Sequence, residues 1–266
     1  MRYFGIIMFY ESSSMKYDMS PLVTVVTVTR NAEAFIEQTL KSVFSQNYAN
    51  IEYILIDGDS IDSTPDIIRK YLDGNAQFIS EKDDGIYDAM NKGLLLTSPE
   101  SQFITFLNAG DIFYDSKVIN QVVASSKSSF HHIYGNILKN GKIYQTPRKI
   151  NQYTLSTNMI SHQAIFFRTR VHRSFFYDIN FKVCADYKLL IDMVRSGEKF
   201  TKINKTIVKF DTTGVSSKNR FTLYNEKERI RKLYPKIYFY HYLKQHLKPL
   251  KVIFTMFHPP NNNSLE

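Results

Sequence analysis

The chain has 266 residues, 43% of them hydrophobic, which is enough to bury the core of one large domain or of one domain with an appendage. Its one cysteine, Cys184, excludes an intramolecular disulfide framework and a Cys-rich zinc site and favours a reducing compartment. The net charge of +9 comes from residues 201–266, which hold 13 Lys and Arg against 4 Asp and Glu, so the first 200 residues are neutral.

The first segment predicts no packed structure. Residues 4–10 resemble a short signal-peptide core, but Glu11 and three serines follow, without a clear cleavage site. We expect residues 1–20 to form a flexible leader. No run reaches the ~18 to 20 apolar residues of a membrane-spanning helix. We therefore expect a cytoplasmic protein, or one held peripherally on the inner face of the cell membrane.

From Pro21 onward, predicted strands and helices alternate. The strands are β-branched or apolar runs, and the helices show apolar residues at a period of 3.6. The predicted strands are 22–29, 51–56, 77–80 and 102–107, and the predicted helices are 31–44 with Asn31 as its cap, 64–74 with Thr64 as its cap, and 88–96. Three successive strand–helix–strand units predict a parallel, doubly wound α/β sheet. We assign residues 21–215 to this domain.

Beyond Asp111 the alternation is lost. The Asn140-Gly141 pair predicts a hairpin turn, and Gly197 predicts the end of a helix. The predicted elements are a helix at 117–124, hairpin strands at 132–137 and 142–145, a strand at 163–168, a helix at 185–195 and an extended run at 200–210. The pair His131-His132 lies in an apolar run and is expected to pack rather than to bind metal.

Residues 216–266 are predicted to form a basic, aromatic, helical tail. Aromatic and aliphatic residues mixed with lysine are typical of a helix lying on an anionic membrane surface. A helix that covers the sheet domain, or an oligomer contact through the C-terminal helices, would explain the same pattern. Because the neutral sheet domain does not continue the basic footprint, we expect no nucleic acid partner.

Polar residues stand at the ends of the four predicted strands: Thr29 and Arg30, then Asp57, Asp84 and Asp111. The carboxyl ends of parallel strands share one rim, where open α/β sheets bind their ligands. The chain has neither a G-x-G-x-x-G nor a P-loop motif, so phosphates bound at this rim would need a cation. Asp111 offers the oxygen ligand that such a cation prefers. An ordinary strand-ending turn is the alternative for Asp57 and for the segment that ends at Asp111.

Six segments, taken in chain order, carry a resemblance to a known family. They are VTRN at 28–31, DGDSIDST at 57–64, DDGIYDAMNKG at 83–93, NAGD at 108–111, SHQAIFFR at 161–168 and ADYKLL at 185–190. Together they resemble the inverting family-two glycosyltransferases of the GT-A fold, and are most similar to the bacterial branch that builds exopolysaccharide, capsule and O-antigen. The resemblance covers roughly residues 21–210. It implies a GT-A type, mostly parallel sheet with a basic helical appendage.

The resemblance implies a site for a nucleoside-diphosphate sugar, with a UDP-sugar favoured. Thr29, Arg30, Asp57, Asp84 and Asn108 would bind the donor nucleotide, and Asp57 would accept a hydrogen bond from the base.

The resemblance also implies a divalent cation, Mg²⁺ or Mn²⁺. Asp111 stands at the second acid of the family's metal-binding D-x-D motif and would hold the ion on the diphosphate. Asn108 replaces the first acid, which leaves fewer charged ligands. An ion that arrives with the donor therefore fits this sequence better than a tightly bound resting metal.

Asp186 matches the family's catalytic acid residue. Inversion at the sugar C1 needs a base that takes the acceptor's proton on the face opposite the leaving nucleotide. A carboxylate with a pKa near ~3.9 is ionised at neutral pH and can serve. The alternative is that Asp186 only caps the helix at 185–195.

The resemblance further places Asp88, Asn91, His162 and Gln163 around the donor or acceptor pocket. The spacing of Asp88, Asn91 and Lys92 also fits a charged pair on a solvated helical face.

We therefore expect transfer of one sugar, with inversion and metal assistance, to a glycan or lipid-linked glycan. A nucleotidyltransferase on a similar sheet is a second reading, although the first loop lacks the expected Gly and Arg or Lys residues. A non-catalytic module that binds a sugar nucleotide or a polyanion is a third, and Asn108 favours it.

Overall fold

The computed structural model describes residues 20–72, 76–126, 131–212 and 219–257, with side chains to residue 246. Residues 1–19 of the expected leader, and the predicted helix end at Gly74, lie outside the described residues.

The described strands form one mixed sheet. Its order is β3-β2-β1-β4-β8-β6-β9-β5, and β7 pairs with β6. The strands are β1 Val23–Thr29, β2 Ile51–Asp57, β3 Ala76–Ser80, β4 Phe103–Phe106, β5 Ile112–Phe113, β6 His132–Lys139, β7 Lys142–Tyr144, β8 Ile165–Arg168 and β9 Phe200–Lys209.

The first four strands form the parallel half that the sequence predicts. β1 pairs in parallel with β2 and β4, and β2 pairs in parallel with β3. Every residue of β1 is buried, as expected of a strand covered on both faces. The register sets Thr29 opposite Asp57, and Asp57 opposite Ser80, so the three strand ends share one rim.

The second half of the sheet is not parallel throughout. β8 runs antiparallel to both β4 and β6, and β5 runs antiparallel to β9. The predicted β6–β7 hairpin is confirmed. Asn140 and Gly141 both have positive φ, 49° and 71°, which suits the two-residue turn of a hairpin. Such a short turn forces antiparallel pairing because a parallel crossover needs a dozen or more residues.

Helices cover both faces of the sheet. Alternate residues of β1 point to opposite sides, so Val23 and Val25 lie in one buried cluster and Val26 and Val28 in the other. The helices are α1 Ile36–Phe44, α2 Thr64–Tyr71, α3 Ile86–Leu96, α4 Val118–Ser125, α5 Gln152–Thr157, a 3₁₀ turn at His162–Ala164, α6 Thr169–His172, α7 Ala185–Arg195, α8 Arg220–Leu233 and α9 Pro235–Phe257.

Three local predictions are wrong. Asn31 does not cap α1, because it adopts a left-handed conformation with φ 47° and its side-chain oxygen accepts from the Ile61 N–H. Thr64 is the first helical residue of α2 rather than its cap. The strand predicted from Gln163 begins at Ile165, because a 3₁₀ turn precedes it.

The tail helices join the core of the domain. Ile230 of α8, together with Tyr234 and Ile237, lies in the same buried cluster as α5 and α7. The Tyr234 hydroxyl donates to Asp192 of α7 at 2.6 Å. One face of the tail therefore covers the sheet domain, which was one of the alternatives for this segment. The division of the chain at residue 215 stays a prediction.

Another part of the tail surface is exposed. Tyr238, Phe239 and Tyr242 are 43%, 55% and 52% exposed. The helix α9 continues to Phe257. Within the described ranges, no helix is both long and apolar enough to cross a bilayer.

A buried histidine predicts acid sensitivity. His172 is fully buried among the rings of Phe106, Phe167 and Tyr177, and burial lowers its pKa to about 4. Below pH 6.5 the unfolded chain binds a proton that the folded chain refuses, so the free energy of unfolding falls as pH drops from 6.5 to 4. Between pH 6.5 and 4, the free energy of unfolding of His172→Phe should fall by about 3 kcal/mol less than that of the wild type. Urea unfolding at both pH values measures this difference.

The matched control is His246→Phe, which changes an exposed histidine of α9. His132 is also buried with a lowered pKa, so every variant keeps part of the acid sensitivity. Equal losses for His172→Phe and the wild type would contradict the prediction.

Candidate functional site

Asp57 ends β2 at the rim and is fully buried. One carboxylate oxygen accepts from the Ser60 N–H at 3.0 Å and from the Ser80 hydroxyl at 2.7 Å, and the other accepts from the Ser60 hydroxyl. These bonds fold the loop after β2 back onto the strand ends. They also occupy much of the accepting capacity that a nucleobase would use, so the role of Asp57 in base recognition stays a prediction.

Thr29 lies beside Asp57 at the end of β1. Its hydroxyl is buried and has no hydrogen-bond partner among the described residues. A buried hydroxyl without a partner is costly, and a ligand at the rim would remove that cost. Arg30, the next residue, is exposed. The backbone N–H of Ala109 donates to the Val28 carbonyl at 3.1 Å, which brings the turn after β4 against the same strand end.

The loop after β3 touches the loop after β2. A Cβ on Gly58 would lie 2.2 Å from a side-chain oxygen of Asp83, so a larger residue here would force the Asp83 side chain to move. Asp84 is exposed, and its N–H donates to the Asp88 carboxylate at 3.1 Å. Asp88 also lies 3.6 Å from Lys92, which is the charged pair that the helical spacing allowed.

Asn91 has a structural contact. Its amide donates to the Tyr177 carbonyl and accepts from the Tyr177 N–H, both at 2.9 Å. Because its donor and its acceptor both bind backbone, Asn91 fixes the segment before α7 to α3. A direct role in the pocket stays a prediction that this geometry does not support.

Asp111 follows β4 and is almost wholly buried. Its carboxylate accepts from the Asp211 N–H at 2.8 Å and from the Gln163 amide at 2.9 Å. Burial, which outweighs these hydrogen bonds, raises the pKa of Asp111 to about 7. The carboxyl group therefore stays partly protonated near neutral pH.

The turn that carries Asp111 is held from below. The Thr39 hydroxyl of α1 donates to the Asp111 carbonyl at 2.9 Å and accepts from the Gly110 N–H at 3.0 Å. Gly110 has φ 99°, and a Cβ there would lie 2.8 Å from an Asp211 oxygen. Asp211 therefore belongs to this site. No sequence pattern pointed to Asp211, because it lies 100 residues from Asp111.

The residues around Asp111 fit a divalent cation in part. Among the described residues, no three His, Cys, Asp or Glu side chains converge as a metal site. The buried side-chain oxygen of Asn108 has no hydrogen-bond partner there and is a suitable oxygen donor. Asp111 and Asn108 could thus hold a cation that takes its other ligands from a bound diphosphate and from water.

Asp186 lies buried in the first turn of α7. One carboxylate oxygen accepts from the Tyr187 N–H at 2.8 Å and lies 3.0 Å from the Tyr87 hydroxyl. The other lies 3.0 Å from His162 Nδ1. The bond from Tyr187 lies within the first turn of the helix, whose N-cap residue is Cys184, and Tyr87 and His162 bind the same carboxylate from other elements. Asp186 is therefore more than a local cap.

The 3₁₀ turn at His162–Ala164 connects Asp111 with Asp186. His162 Nδ1 faces Asp186, and its Nε2 lies 3.2 Å from the Asn108 amide. Because the amide nitrogen can only donate, Nε2 is the acceptor and the proton sits on Nδ1. Gln163, the next residue, binds Asp111. The structure thus brings Asn108, Asp111, His162, Gln163 and Asp186 into one connected network.

Three residues near this network were not predicted from the sequence: Tyr87, Asp211 and Glu226. Tyr87 lies inside a segment that carries the family resemblance and could have been noticed. Asp211 and Glu226 lie outside all such segments, so only the fold reveals them. The carboxylate of Glu226 on α8 accepts from the N–H groups of Lys182, Val183 and Cys184, just before α7.

Comparisons with known proteins agree with this architecture. A family model described as Glycosyl transferase family 2 matches residues 24–186. An uncharacterized glycosyltransferase of Mycobacterium tuberculosis is 31% identical over 207 residues, which cover 74% of this chain and 78% of the relative.

Two solved structures share the fold. Staphylococcus aureus TarS, residues 1–349, in complex with UDP-GlcNAc, matches with a TM-score of 0.65 and 15% identity over 74% of this chain and 61% of that one. The mannosyltransferase PcManGT of Pyrobaculum calidifontis, in complex with GDP-Man and Mn²⁺, matches with a TM-score of 0.58 and 16% identity over 73% and 57%. The expected GT-A type α/β sheet is confirmed, and the basic helical appendage is present.

The buried carboxylate of Asp111 predicts a pH-dependent gain in stability when it is neutralised. The unfolded carboxyl ionises near pH 3.9 and the folded one near 7, so the wild type loses stability as pH rises between these values. Asp111→Asn should therefore raise the free energy of unfolding at pH 8 by as much as about 4 kcal/mol, and leave it unchanged at pH 4. Urea unfolding in metal-free buffer measures both.

Asp66→Asn is the matched control, because Asp66 is exposed on α2 and pairs only with Arg69 in the described structure. It should change stability little at either pH. A wild type as stable at pH 8 as Asp111→Asn would contradict the burial cost assigned to Asp111.

Proposed function

The chain belongs to glycosyl transferase family 2, and we propose that it transfers one sugar from a nucleoside-diphosphate sugar to a hydroxyl of a glycan, with inversion at C1. The observation that carries the proposal is the connected network of the site. Asp186, a buried carboxylate at one end of this network, is linked through His162 to the turn that carries Asn108 and Asp111.

Asp186 is the proposed base. It takes the proton of the acceptor hydroxyl while that oxygen attacks C1 and the nucleoside diphosphate leaves from the opposite face. The hydrogen bonds from the Tyr187 N–H and from His162 hold the carboxylate in one orientation and stabilise its charge. His162 and Gln163 then border the acceptor pocket.

The donor nucleotide is proposed to lie along the strand ends. Thr29 has a buried hydroxyl without a partner in the described structure, and Arg30 beside it is exposed and cationic. Asp57 shapes the loop against which the nucleobase would lie, and Asp84 is exposed at the edge of the proposed nucleotide site. A UDP-sugar remains the favoured donor, and TarS is a structural neighbour that binds UDP-GlcNAc.

A divalent cation, Mg²⁺ or Mn²⁺, is proposed to be held by Asp111 and Asn108. It would supply positive charge that stabilises the departing diphosphate. The protein's own share is to keep Asp111 in place through Gln163 and the Asp211 N–H, and to leave the Asn108 oxygen without a competing donor from the described residues. The neighbour PcManGT was solved with GDP-Man and Mn²⁺.

The acceptor is proposed to be lipid-linked and presented at an anionic membrane surface. The tail exposes Tyr238, Phe239 and Tyr242 on α9, and carries exposed Lys232 and Lys236 near them in sequence. Aromatic rings enter the headgroup region, and lysines attract anionic lipids. The peripheral location at the inner face of the cell membrane follows from this proposal.

Turnover tests the enzymatic part. The purified chain should release UDP or GDP from one member of a sugar-nucleotide panel when Mn²⁺ and a glycan acceptor are present. Asp186→Asn should lower kcat by ~10²- to 10⁴-fold because the base is lost. The Kd for the nucleotide, measured by calorimetry, should change less than about threefold because the donor site is intact.

Asp192→Asn is the control on the same helix, and it should retain most of the turnover. Pyrophosphate release from a nucleoside triphosphate would identify a nucleotidyltransferase instead. Near wild-type kcat in Asp186→Asn would exclude this residue as the base, and tight donor binding without turnover on any acceptor would contradict the transferase.

Vesicle binding tests the membrane part. The full chain should sediment with vesicles that contain anionic lipid, and salt should weaken the binding. Replacing Tyr238, Phe239 and Tyr242 together with serine should reduce the bound fraction at least about tenfold, because three aromatic rings no longer enter the interface.

The control replaces Ile143 and Tyr144 with serine, two exposed apolar residues on the β6–β7 hairpin. It should bind like the wild type. Equal binding by the triple variant and the wild type would contradict the assignment of this surface to a membrane.

A further inference from the structure

A buried carboxylate on the tail helix α8 contacts the loop that leads into the proposed base. We propose that Glu226 is a positioning residue for the loop at residues 180–184, which leads into α7 and is called the Asp186 loop here. Glu226 holds this loop in the conformation that transfer requires. The inference rests on the proposed function of Asp186. It makes the tail helix part of the machinery for transfer, in addition to any role in docking.

The contacts of Glu226 are unusual for a surface helix. One carboxylate oxygen accepts from the Lys182 N–H at 2.7 Å, and the other accepts from the Val183 and Cys184 N–H groups, both at 2.9 Å. The residue is only 8% exposed. Among the described residues, no basic side chain forms an ion pair with Glu226, so the three backbone groups are its recorded partners.

The three N–H groups that bind Glu226 lead into the N-terminal end of α7. Cys184 is the residue before the first turn of α7, and its own side chain makes no capping bond there. The N-terminal end of a helix carries partial positive charge and unpaired N–H groups. Glu226 thus places, from 42 residues away, a second negative group beside the N-terminal end of α7, where Asp186 is the local acid.

The loop held by Glu226 is coupled directly to Asp186. The Val183 N–H binds Glu226, while the Val183 carbonyl accepts from the Tyr87 hydroxyl at 2.9 Å. The same hydroxyl lies 3.0 Å from the Asp186 carboxylate. A shift of this loop therefore moves the tyrosine and the first turn of α7 together, and changes the distance between Asp186 and His162.

The helix α8 makes a second contact with the same loop. The Arg229 guanidinium donates to the Asn180 carbonyl at 3.0 Å and lies 4.1 Å from the centre of the Phe181 ring. Arg229 is one helical turn from Glu226, so both side chains reach the loop from one face of the helix. Arg229 binds the outer part of the loop, and Glu226 binds the part next to Asp186.

The variant Glu226→Gln tests the proposal. An amide of the same shape accepts through one oxygen only and presents its own N–H groups to the loop. The kcat should fall about tenfold to a hundredfold, as expected when a reacting group is misplaced by about an ångström. The donor KM and the nucleotide Kd should change less than about threefold, because Glu226 does not touch the donor site.

Hydrogen exchange gives a readout that does not need turnover. In Glu226→Gln, the backbone amides of residues 182–187 should exchange at least about tenfold faster, while those of β1 and β4 should not change. If the wild type turns over no donor, the proposed function fails, and the exchange result still decides whether Glu226 holds the loop. Unchanged exchange in this segment would overturn the inference.

Two control variants separate positioning from general stability. Glu228→Gln changes a neighbouring acid that pairs with Arg231, and it should leave kcat and exchange unchanged. Ile230→Val loosens the packing of the same helix and leaves the Glu226 carboxylate in place. If Ile230→Val lowers kcat as much as Glu226→Gln, then Glu226 acts only through docking of the helix, and the inference fails.

The variant Glu226→Asp keeps the charge on a side chain shorter by one methylene group. It should fold, and show the same separation of kcat from KM at a smaller magnitude. This variant keeps the test decisive if Glu226→Gln does not fold. A Glu226→Asp variant with wild-type exchange and a lowered kcat would contradict a role through the loop.

Discussion

The buried carboxylate of Asp186 is the constraint around which the site is built. A carboxylate removed from water must be hydrogen-bonded, because an unpaired buried charge is very costly. Its partners come from three elements: Tyr187 from α7 itself, Tyr87 from α3 and His162 from the 3₁₀ turn. The same bonds that stabilise the charge therefore join the parallel half of the sheet, which supports α3, to the mixed half, which supports the turn.

The two acids of the network have different environments, and this suits different roles. Asp186 is surrounded by groups that bind it directly, and one of them is a histidine. Asp111 is buried by the turn after β4, and burial raises its pKa to about 7. A cation would reverse the cost of that burial by favouring the ionised form.

The tail has two surfaces with separate consequences. One surface contributes Ile230, Tyr234 and Ile237 to the core and carries Glu226 to the Asp186 loop. Another exposes aromatic side chains on α9. The described part of the basic tail, α8 and the first turns of α9, therefore packs on the sheet domain. A helix bound to both the core and a membrane would place the site at a fixed height above the lipid.

The sequence by itself determined the parallel half of the sheet, because the β-branched run of β1 and the apolar spacing of α1 and α3 are local signals. It also placed Thr29, Asp57 and Asp111 at strand ends, where strand order brings them to one rim. It could not determine the antiparallel course of β8, or the contacts of Asp211 and Glu226, since these depend on residues about 42 to 100 positions apart. Asn31 failed as a cap because a bond to the Ile61 N–H, formed only in the folded loop, outweighed its local preference. Tertiary structure alone decided that Asp111 and Asp186 are buried, which groups bind their carboxylates, and that α8 contacts the Asp186 loop. Burial and these contacts are properties of the assembled chain.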